Sequence, residues 1–484
     1  MRVSYIKKSL GLILKAISVC MIVPVFIAVY FKEYSMILPF VLSSILSLLL
    51  GFAAESNNKE TDNLNDLKKS EALFITVLTW VLFGLFATIP YVFHNISVVD
   101  SLFEAFSGIT TTGATILEDF SICSKTLLFW RSFTQWLGGM GIIVLFIAVL
   151  PQFAIAGRQM FFAEAPGPTE QKITPRIRNT ADALWKIYVS LTVIEIIVLK
   201  FLGMPLFTAV CDSFSTLAAG GFSPEQTSFL GHSPAILWVV ILFMFLAGVN
   251  FSLIYNAITK RDLSLLFKDE EFKTYLFIIG SITLAVTGIL LWQSNIQIVT
   301  AFKDTLFHTI SLLTTTGFAG ADYWNWSLDA KMFLFLVYFF GGCAGSAAGG
   351  LKVIRVLFMF KFIKRELAKI LHPSAVYNIK INKTIFPEEV NKQILAFIIF
   401  YFAIFALSAF VIVLIERNVT VGVTSAISSL GNVGPGFGLI AANNSFSSLH
   451  TSTKLIFIFN MIVGRLELIP FLAMLHPDFW NWKK

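Results

Sequence analysis

Long apolar runs, broken by short polar stretches, follow one another along the whole chain. Runs of spanning length, about 20 residues, fall at 9–31, 36–54, 71–94, 127–151, 182–203, 233–256, 272–293, 329–351, 393–416 and 452–475. Inside each of the last four pairs of runs lies a shorter apolar stretch, too brief to cross a bilayer, that ends in a polar, glycine-bearing segment. These four segments share a serine followed six residues later by a glycine: Ser107 and Gly113, Ser215 and Gly221, Ser311 and Gly317, Ser428 and Gly434. A motif recurring roughly every hundred residues points to one module used four times around an axis. The pattern predicts two leading helices, then four units of helix, re-entrant half-helix with loop, and helix. A re-entrant loop survives at membrane depth only where protein buries it or it lines a wet cavity, and four such loops satisfy this by facing one another. The expected fold is therefore an all-α polytopic membrane protein with pseudo-fourfold symmetry around one ion pore. Its expected divisions are a two-helix N-terminal extension over 1–70 and pore repeats over 71–180, 181–271, 272–392 and 393–484, the third with a broken second helix.

Composition agrees with a lipid-solvated chain. Of 484 residues, 56% are hydrophobic and 13% charged, and 50 are phenylalanine, against about 25% charged residues in soluble domains. The first 31 residues are basic and then apolar, but the run exceeds an ordinary signal-peptide core and lacks a small-x-small cleavage site, so it reads as a retained helix. The cysteines Cys20, Cys123, Cys211 and Cys343 are scattered and never form CxxC, which implies neither a disulfide framework nor structural zinc.

The net charge of +7 is explained by its placement, without nucleic acid. Basic residues cluster after each unit's second helix: Arg158, Lys172, Arg176 and Arg178; Lys260, Arg261, Lys268 and Lys273; Lys352, Arg355, Lys361, Lys364, Arg365 and Lys369. The ends, with Arg2, Lys7, Lys8 and Lys483-Lys484, belong to the same side. The flanks of the re-entrant segments instead carry Asp100, Glu104, Glu118, Asp119, Asp212, Glu225, Asp304 and Asp322. The positive-inside rule puts the basic loops and both termini in the cytoplasm, and an acidic outer mouth would concentrate cations.

The candidate ion site is the polar core of the four segments: Thr110, Thr111, Thr112 and Gly113; Ala218, Ala219, Gly220 and Gly221; Thr314, Thr315, Thr316 and Gly317; Gly431, Asn432, Val433 and Gly434. Glycine allows successive carbonyls to point toward an axis, and threonine can add a hydroxyl oxygen at the inner lip. Neutral carbonyl dipoles can replace the water shell of K+, whereas calcium calls for carboxylate cages, which these segments lack. Residues 341–350 hold Gly341, Gly342, Gly345, Gly349 and Gly350 within ten positions, at about 1 kcal/mol per glycine against a continuous helix. Two readings stay open there, close helix packing by small residues or an unwound, movable segment below the filter. Ser346 has no evident histidine partner for a protease role. Arg465 lies midway along the last apolar run, where a central arginine costs about 2.5–3.5 kcal/mol and so faces protein or water. It is either a tether, to Glu467 or to carbonyls, or a positive charge beneath the filter. Beyond Glu195 and Glu467 no intramembrane acidic relay stands out, so ion coupling has little support in the residues.

Several stretches carry a family resemblance. Trp130-Arg131-Ser132-Phe133-Thr134-Gln135-Trp136-Leu137-Gly138-Gly139-Met140-Gly141, Ala163-Glu164-Ala165-Pro166-Gly167-Pro168, Pro175-Arg176 and Thr180-Ala181 resemble the Trk/Ktr/HKT superfamily of potassium transporters, as do 341–350 with Leu351-Lys352 and Gly464-Arg465. The likeness spans the chain, and the two extra N-terminal helices point to its bacterial TrkH/TrkG branch. It implies gated K+ uptake across the bacterial inner membrane, with no enzymatic activity and no cofactor in this chain. Flux would be driven by the membrane potential, with Na+- or H+-coupled symport as the alternative. It further implies a K+ filter with glycine at all four positions, a gating loop at 341–350 and a pore-facing Arg465. Its expected partners are a second copy in a homodimer and a cytosolic TrkA-type ring that binds the nucleotide.

Overall fold

The computed structural model describes residues 2–55, 68–139, 141, 176–294, 296–375, 377–382, 384–441, 444–466 and 468–480. Arg158, Lys172, Met140, Ala163 to Pro168, Pro175, Glu467, Lys483 and Lys484 lie outside the described residues.

The leading helices α1 (Val3–Tyr30) and α2 (Ile37–Glu55) pack along each other. Ser44 and Ser47 donate to the carbonyls of Ser18 and Leu14 across that seam, and small or hydroxylated residues are what let membrane helices approach closely. Next come α3 (Lys69–Val92), α4 (Val98–Ile109), α5 (Lys125–Gly139), α6 (Arg176–Phe201), α7 (Leu206–Ala218), α8 (Pro234–Ala247), α9 (Phe251–Thr259) and the short α10 (Ser264–Lys268). The remainder is α11 (Glu270–Gln293), α12 (Ile298–Leu313), α13 (Leu328–Val337), α14 (Val353–Leu371), α15 (Glu388–Glu416), α16 (Val419–Gly431), α17 (Thr451–Arg465) and α18 (Ile469–Leu475). A two-residue hairpin, β1 (Lys380–Ile381) with β2 (Thr384–Ile385), interrupts the helices.

Five helices among the described residues are long and apolar enough to cross a membrane, the segments Val3–Tyr30, Tyr34–Glu55, Ser70–Val92, Glu270–Gln293 and Glu388–Glu416. Large apolar side chains on them, such as Phe26, Leu49, Phe277 and Leu407, point outward and stay exposed, as a lipid-facing surface requires. The four helices that lead into the serine–glycine segments are too short to span. At a rise of 1.5 Å per residue, α4, α7, α12 and α16, of 12, 13, 16 and 13 residues, reach only about 18–24 Å against a hydrocarbon core of about 30 Å. Their starts are fixed locally where a polar side chain is available: Ser97 accepts from the Asp100 amide and Asn418 from the Val421 amide. Each packs among its neighbours, α4 with α3, α5 and α17, α7 with α6, α8 and α5, α12 with α11, α13 and α8, and α16 with α15 and α17.

Three of the expected spans are not continuous helices. The run at 233–256 bends by 99° between α8 and α9, and the Asn250 side chain at the break caps α9 by accepting from the Ser252 and Leu253 amides. The run at 329–351 is helical only through Val337, after which the chain is irregular until α14. The last run breaks after Arg465, so that arginine closes α17 instead of standing midway along a helix. Of the run at 127–151, the described part is helical to Gly139.

Candidate functional site

The four serine–glycine segments meet at one place, each entering from the C-terminal end of a short helix. They share a backbone course. The residue four after each serine takes the left-handed conformation (Thr111, Ala219, Thr315 and Asn432, φ 54–58°), and the glycine at plus six lies at φ 79–97°. The serine holds this turn from both sides. Its carbonyl accepts the amide at plus five, from Thr112, Gly220, Thr316 and Val433, at 2.8–2.9 Å. In three segments its hydroxyl also holds the far side of the turn: Ser107 donates past the glycine to Ala114 O at 2.6 Å and Ser311 to Phe318 O at 2.8 Å, while Ser428 donates to the glycine's own carbonyl, Gly434 O, at 2.7 Å. The recurring serine is a latch across its glycine.

The glycines close a ring. A Cβ at Gly113 would run into the carbonyl oxygen of Gly220, one at Gly221 into Thr316 O, one at Gly317 into Val433 O, and one at Gly434 into Thr112 O. Each segment thus abuts the next, and the fourth returns to the first. A side chain at any of the four would displace a neighbour's backbone.

Two threonine pairs also bond within their own segments. Thr110 donates to Phe106 O and pairs with the Thr112 hydroxyl at 2.8 Å, and Thr314 does the same with Ile310 O and Thr316. They stiffen the turn from within. Asn432 adds a brace between segments, donating to the Thr112 hydroxyl and to Met461 O.

Against this ring lies the 341–350 segment. It is closed by the Gly341 amide on Leu351 O and the Val353 amide on Gly342 O. The Gly349 amide donates to the Thr315 hydroxyl at 2.7 Å. The 99° break in the second unit leaves the carbonyls at the end of α8 without helical partners, and the segment uses them: Ala347 N bonds to Ala247 O and Cys343 N to Gly248 O. Glu271 accepts from the Ala344 amide within the segment and from the Ile354 amide just after it, and Lys352 donates to Ala348 O. Arg465 donates to Ala347 O at 2.9 Å and to Gly138 O and Gly139 O at 2.8 Å each, which is a tether to carbonyls; Glu467, the other tether expected, lies outside the described residues. The Ser346 hydroxyl has no hydrogen-bond partner among the described residues.

The acidic outer mouth is smaller than the sequence led us to expect. Glu104 is buried, paired with Arg131 at 2.7 Å, and accepts from Thr115 and the Ile116 amide. Arg131 in turn donates to Ser223 O and lies over the Phe222 ring at 4.1 Å. Asp212 is buried within α7, and Asp100 binds Lys454 at 2.6 Å. A cavity lined by Gly113 and Gly221 keeps Glu118 and Glu225 at its walls. Four features escaped the sequence: the α8–α9 break, Glu271, the Glu104–Arg131 pair, and Gln135 on the second segment. Glu104, Arg131 and Gln135 are polar interruptions of apolar stretches, the signal by which a membrane chain marks an interior contact.

Apolar spanning helices packed around short helices whose buried tips converge define a membrane transport protein, not an enzyme. The chain belongs to the TrkH family: the profile of that family, described as a cation transport protein, matches residues 38–483. The Trk system potassium uptake protein TrkH of Salmonella typhimurium is 37% identical over 485 residues, covering 98% of this chain and 99% of the relative. Trk system potassium uptake protein TrkG of Escherichia coli is 32% identical, covering 97% of each. The crystal structure of the potassium transporter TrkH from Vibrio parahaemolyticus superposes with a TM-score of 0.88 at 34% identity, covering 99% of this chain and all of that one.

Proposed function

We propose that this protein takes up K+ across the bacterial inner membrane through a single pore of pseudo-fourfold symmetry, its termini in the cytoplasm. The four repeats over 71–180, 181–271, 272–392 and 393–484 each contribute one filter segment, Thr110–Gly113, Ala218–Gly221, Thr314–Gly317 and Gly431–Gly434. The observation that carries this reading is the cyclic closure of the glycines, each abutting the carbonyl of the next segment. Backbone oxygens in such a ring can replace the hydration shell of K+. The membrane potential, worth about 2.3 kcal/mol per charge per 100 mV, then suffices to drive entry. The 341–350 loop and Arg465 form the gate. A homodimer seated on a cytosolic TrkA-type nucleotide-binding ring controls it, a reading supported by relatives that are named components of a Trk system.

The test is flux from proteoliposomes holding the purified protein under an imposed potential, with and without the cytosolic ring. K+ current that follows the potential is expected, and no current with the ring present would end the proposal. Within that assay, Gly113→Ser should lower the K+/Na+ permeability ratio several-fold. The added Cβ must push Gly220 O aside, while the serine hydroxyl keeps an oxygen available to the smaller ion. An unchanged ratio would remove Gly113 from the filter.

Coupled symport is the second reading, and one observation favours it. Buried Glu195 and Asp212 form no ion pair among the described residues, with the hydroxyls of Thr216 and Ser223 beside them. A buried carboxyl without a cation is costly in its charged form and is a natural carrier for a proton. If it couples uptake, Glu195→Gln should flatten the dependence of K+ uptake on a pH gradient at fixed potential. Equal gradient dependence in both proteins would leave uniport as the mechanism.

A further inference from the structure

The second filter segment departs from the other three in two ways. Its serine hydroxyl, Ser215 Oγ, is buried and has no hydrogen-bond partner among the described residues, although Ser107, Ser311 and Ser428 all use theirs to latch the chain across the glycine. It also carries a second glycine, Gly220, where the others have Thr112, Thr316 and Val433. In the first and third segments the side chain at that position pairs with a threonine two residues earlier. The second segment has no such pair.

One residue of another unit accounts for both departures. Gln135, fully buried on α5, donates from Nε2 to Gly220 O at 2.6 Å and accepts at Oε1 from the Phe222 amide at 3.0 Å. Its amide therefore brackets Gly221, one bond on each side, as the serine latch brackets the glycine elsewhere. The Phe222 N–H can only donate, which fixes which end of the amide faces it. The space is filled as well: a Cβ at Gly220 would lie 2.5 Å from Gln135 Cδ, so the second glycine is what lets the amide reach the backbone. Gly220 O is also the oxygen that Gly113 abuts. Gln135 thus sets the joint between the first and second segments.

We infer that Gln135 is a positioning residue that determines ion selectivity, taking over from Ser215 the latching of the second segment and holding the Gly220 carbonyl in the ring. The inference rests on the filter reading above. Leucine at 135 keeps the bulk and removes both bonds. Glutamate keeps an acceptor for the Phe222 amide but sets an oxygen against Gly220 O.

The experiment measures the K+/Na+ permeability ratio of Gln135→Leu, Gln135→Glu, Ser311→Ala, Ser215→Ala and Gly113→Ser proteins in proteoliposomes. A purely structural role would lower the amount of folded protein and leave the ratio of the surviving pores unmoved. The expected result is a fall of at least roughly fivefold for Gln135→Leu, the scale of one unmade buried hydrogen bond, and a fall for Gln135→Glu. Ser311→Ala should lower the ratio more than Ser215→Ala, since only Ser311 has a latch to lose. Should Gln135→Leu fail to fold, the glutamate variant and the serine pair decide. Unchanged ratios in both Gln135 variants, with a lowered ratio in Gly113→Ser, would overturn the role of Gln135 and leave the filter standing. Unchanged ratios in all three would remove the filter reading and the inference with it. A fall in Ser215→Ala as large as in Ser311→Ala would show that the second serine still latches and would overturn the substitution argued here.

Discussion

Gly221→Ala should cut K+ uptake by at least about tenfold, equivalent to about 1.4 kcal/mol on the rate-limiting barrier, while leaving the protein folded. Two effects combine. At φ +80° an alanine is strained by about 1–2 kcal/mol, and its Cβ would run into Thr316 O of the next segment. Because every segment abuts the next, the displaced oxygen cannot retreat without moving the rest of the ring. Unlike serine at 113, alanine brings no oxygen to replace the one it displaces, so permeation itself should fail along with selectivity. Gly203 and Gly231 separate the two effects. Both have positive φ, 95° and 86°, with open space where a Cβ would stand, so alanine there adds strain without touching the ring. Uptake in a bacterial host lacking its own K+ uptake systems, set beside thermal stability of the purified protein, checks this. Uptake within twofold of the parent in folded Gly221→Ala would refute the ring as the ion path.

The fold was legible in the sequence wherever one physical rule governed it. Apolar length set α1, α2, α3, α11 and α15, because lipid solvates their outer faces. The serine at zero and glycine at plus six marked the segments, and the structure gives the reason: the serine carbonyl and, in three of four, its hydroxyl fix a turn that only glycine completes. The threonines carry a second part that their sequence did not announce: the hydroxyls of Thr110 and Thr112 bond to each other, and Thr112 also accepts from Asn432.

What stayed hidden depends on partners far away in the chain. The bend at Gly248 to Asn250 looks like an ordinary apolar run from its composition, and it breaks because the freed carbonyls of Ala247 and Gly248 have takers a hundred residues later, at Ala347 and Cys343. Glu104 reads as a mouth carboxylate because its neighbours in sequence are those of a pore helix. Its actual neighbour is Arg131, which also donates to Ser223 O and so joins the chain after the first segment to that after the second. Gln135 sits within a stretch that resembles the Trk superfamily, but nothing in one sequence links it to Gly220, 85 residues on.

Arg465→Ala should raise K+ flux in the absence of the cytosolic ring by about ten- to a hundredfold. The guanidinium joins three units through carbonyls: Ala347 of the 341–350 loop, and Gly138 and Gly139 at the end of α5. A hydrogen bond to a charged group contributes about 1.5–3 kcal/mol, so losing the one to Ala347 shifts a closed–open balance by that order. The same substitution would also speed flux if Arg465 acted only as a positive charge repelling K+. Arg465→Lys separates the two. Lysine keeps the charge, but as a point donor it cannot fork to three carbonyls on different elements. A lysine variant that leaks like the alanine variant identifies the tether as the gate, and one that stays closed like the parent identifies the charge. The hold on the loop does not rest on Arg465 alone, since Thr315 and Glu271 also bind it. Arg465→Ala should therefore loosen the loop without unfolding the protein. A variant that melts far below the parent, with no gain in flux, would make Arg465 a structural brace and remove it from gating.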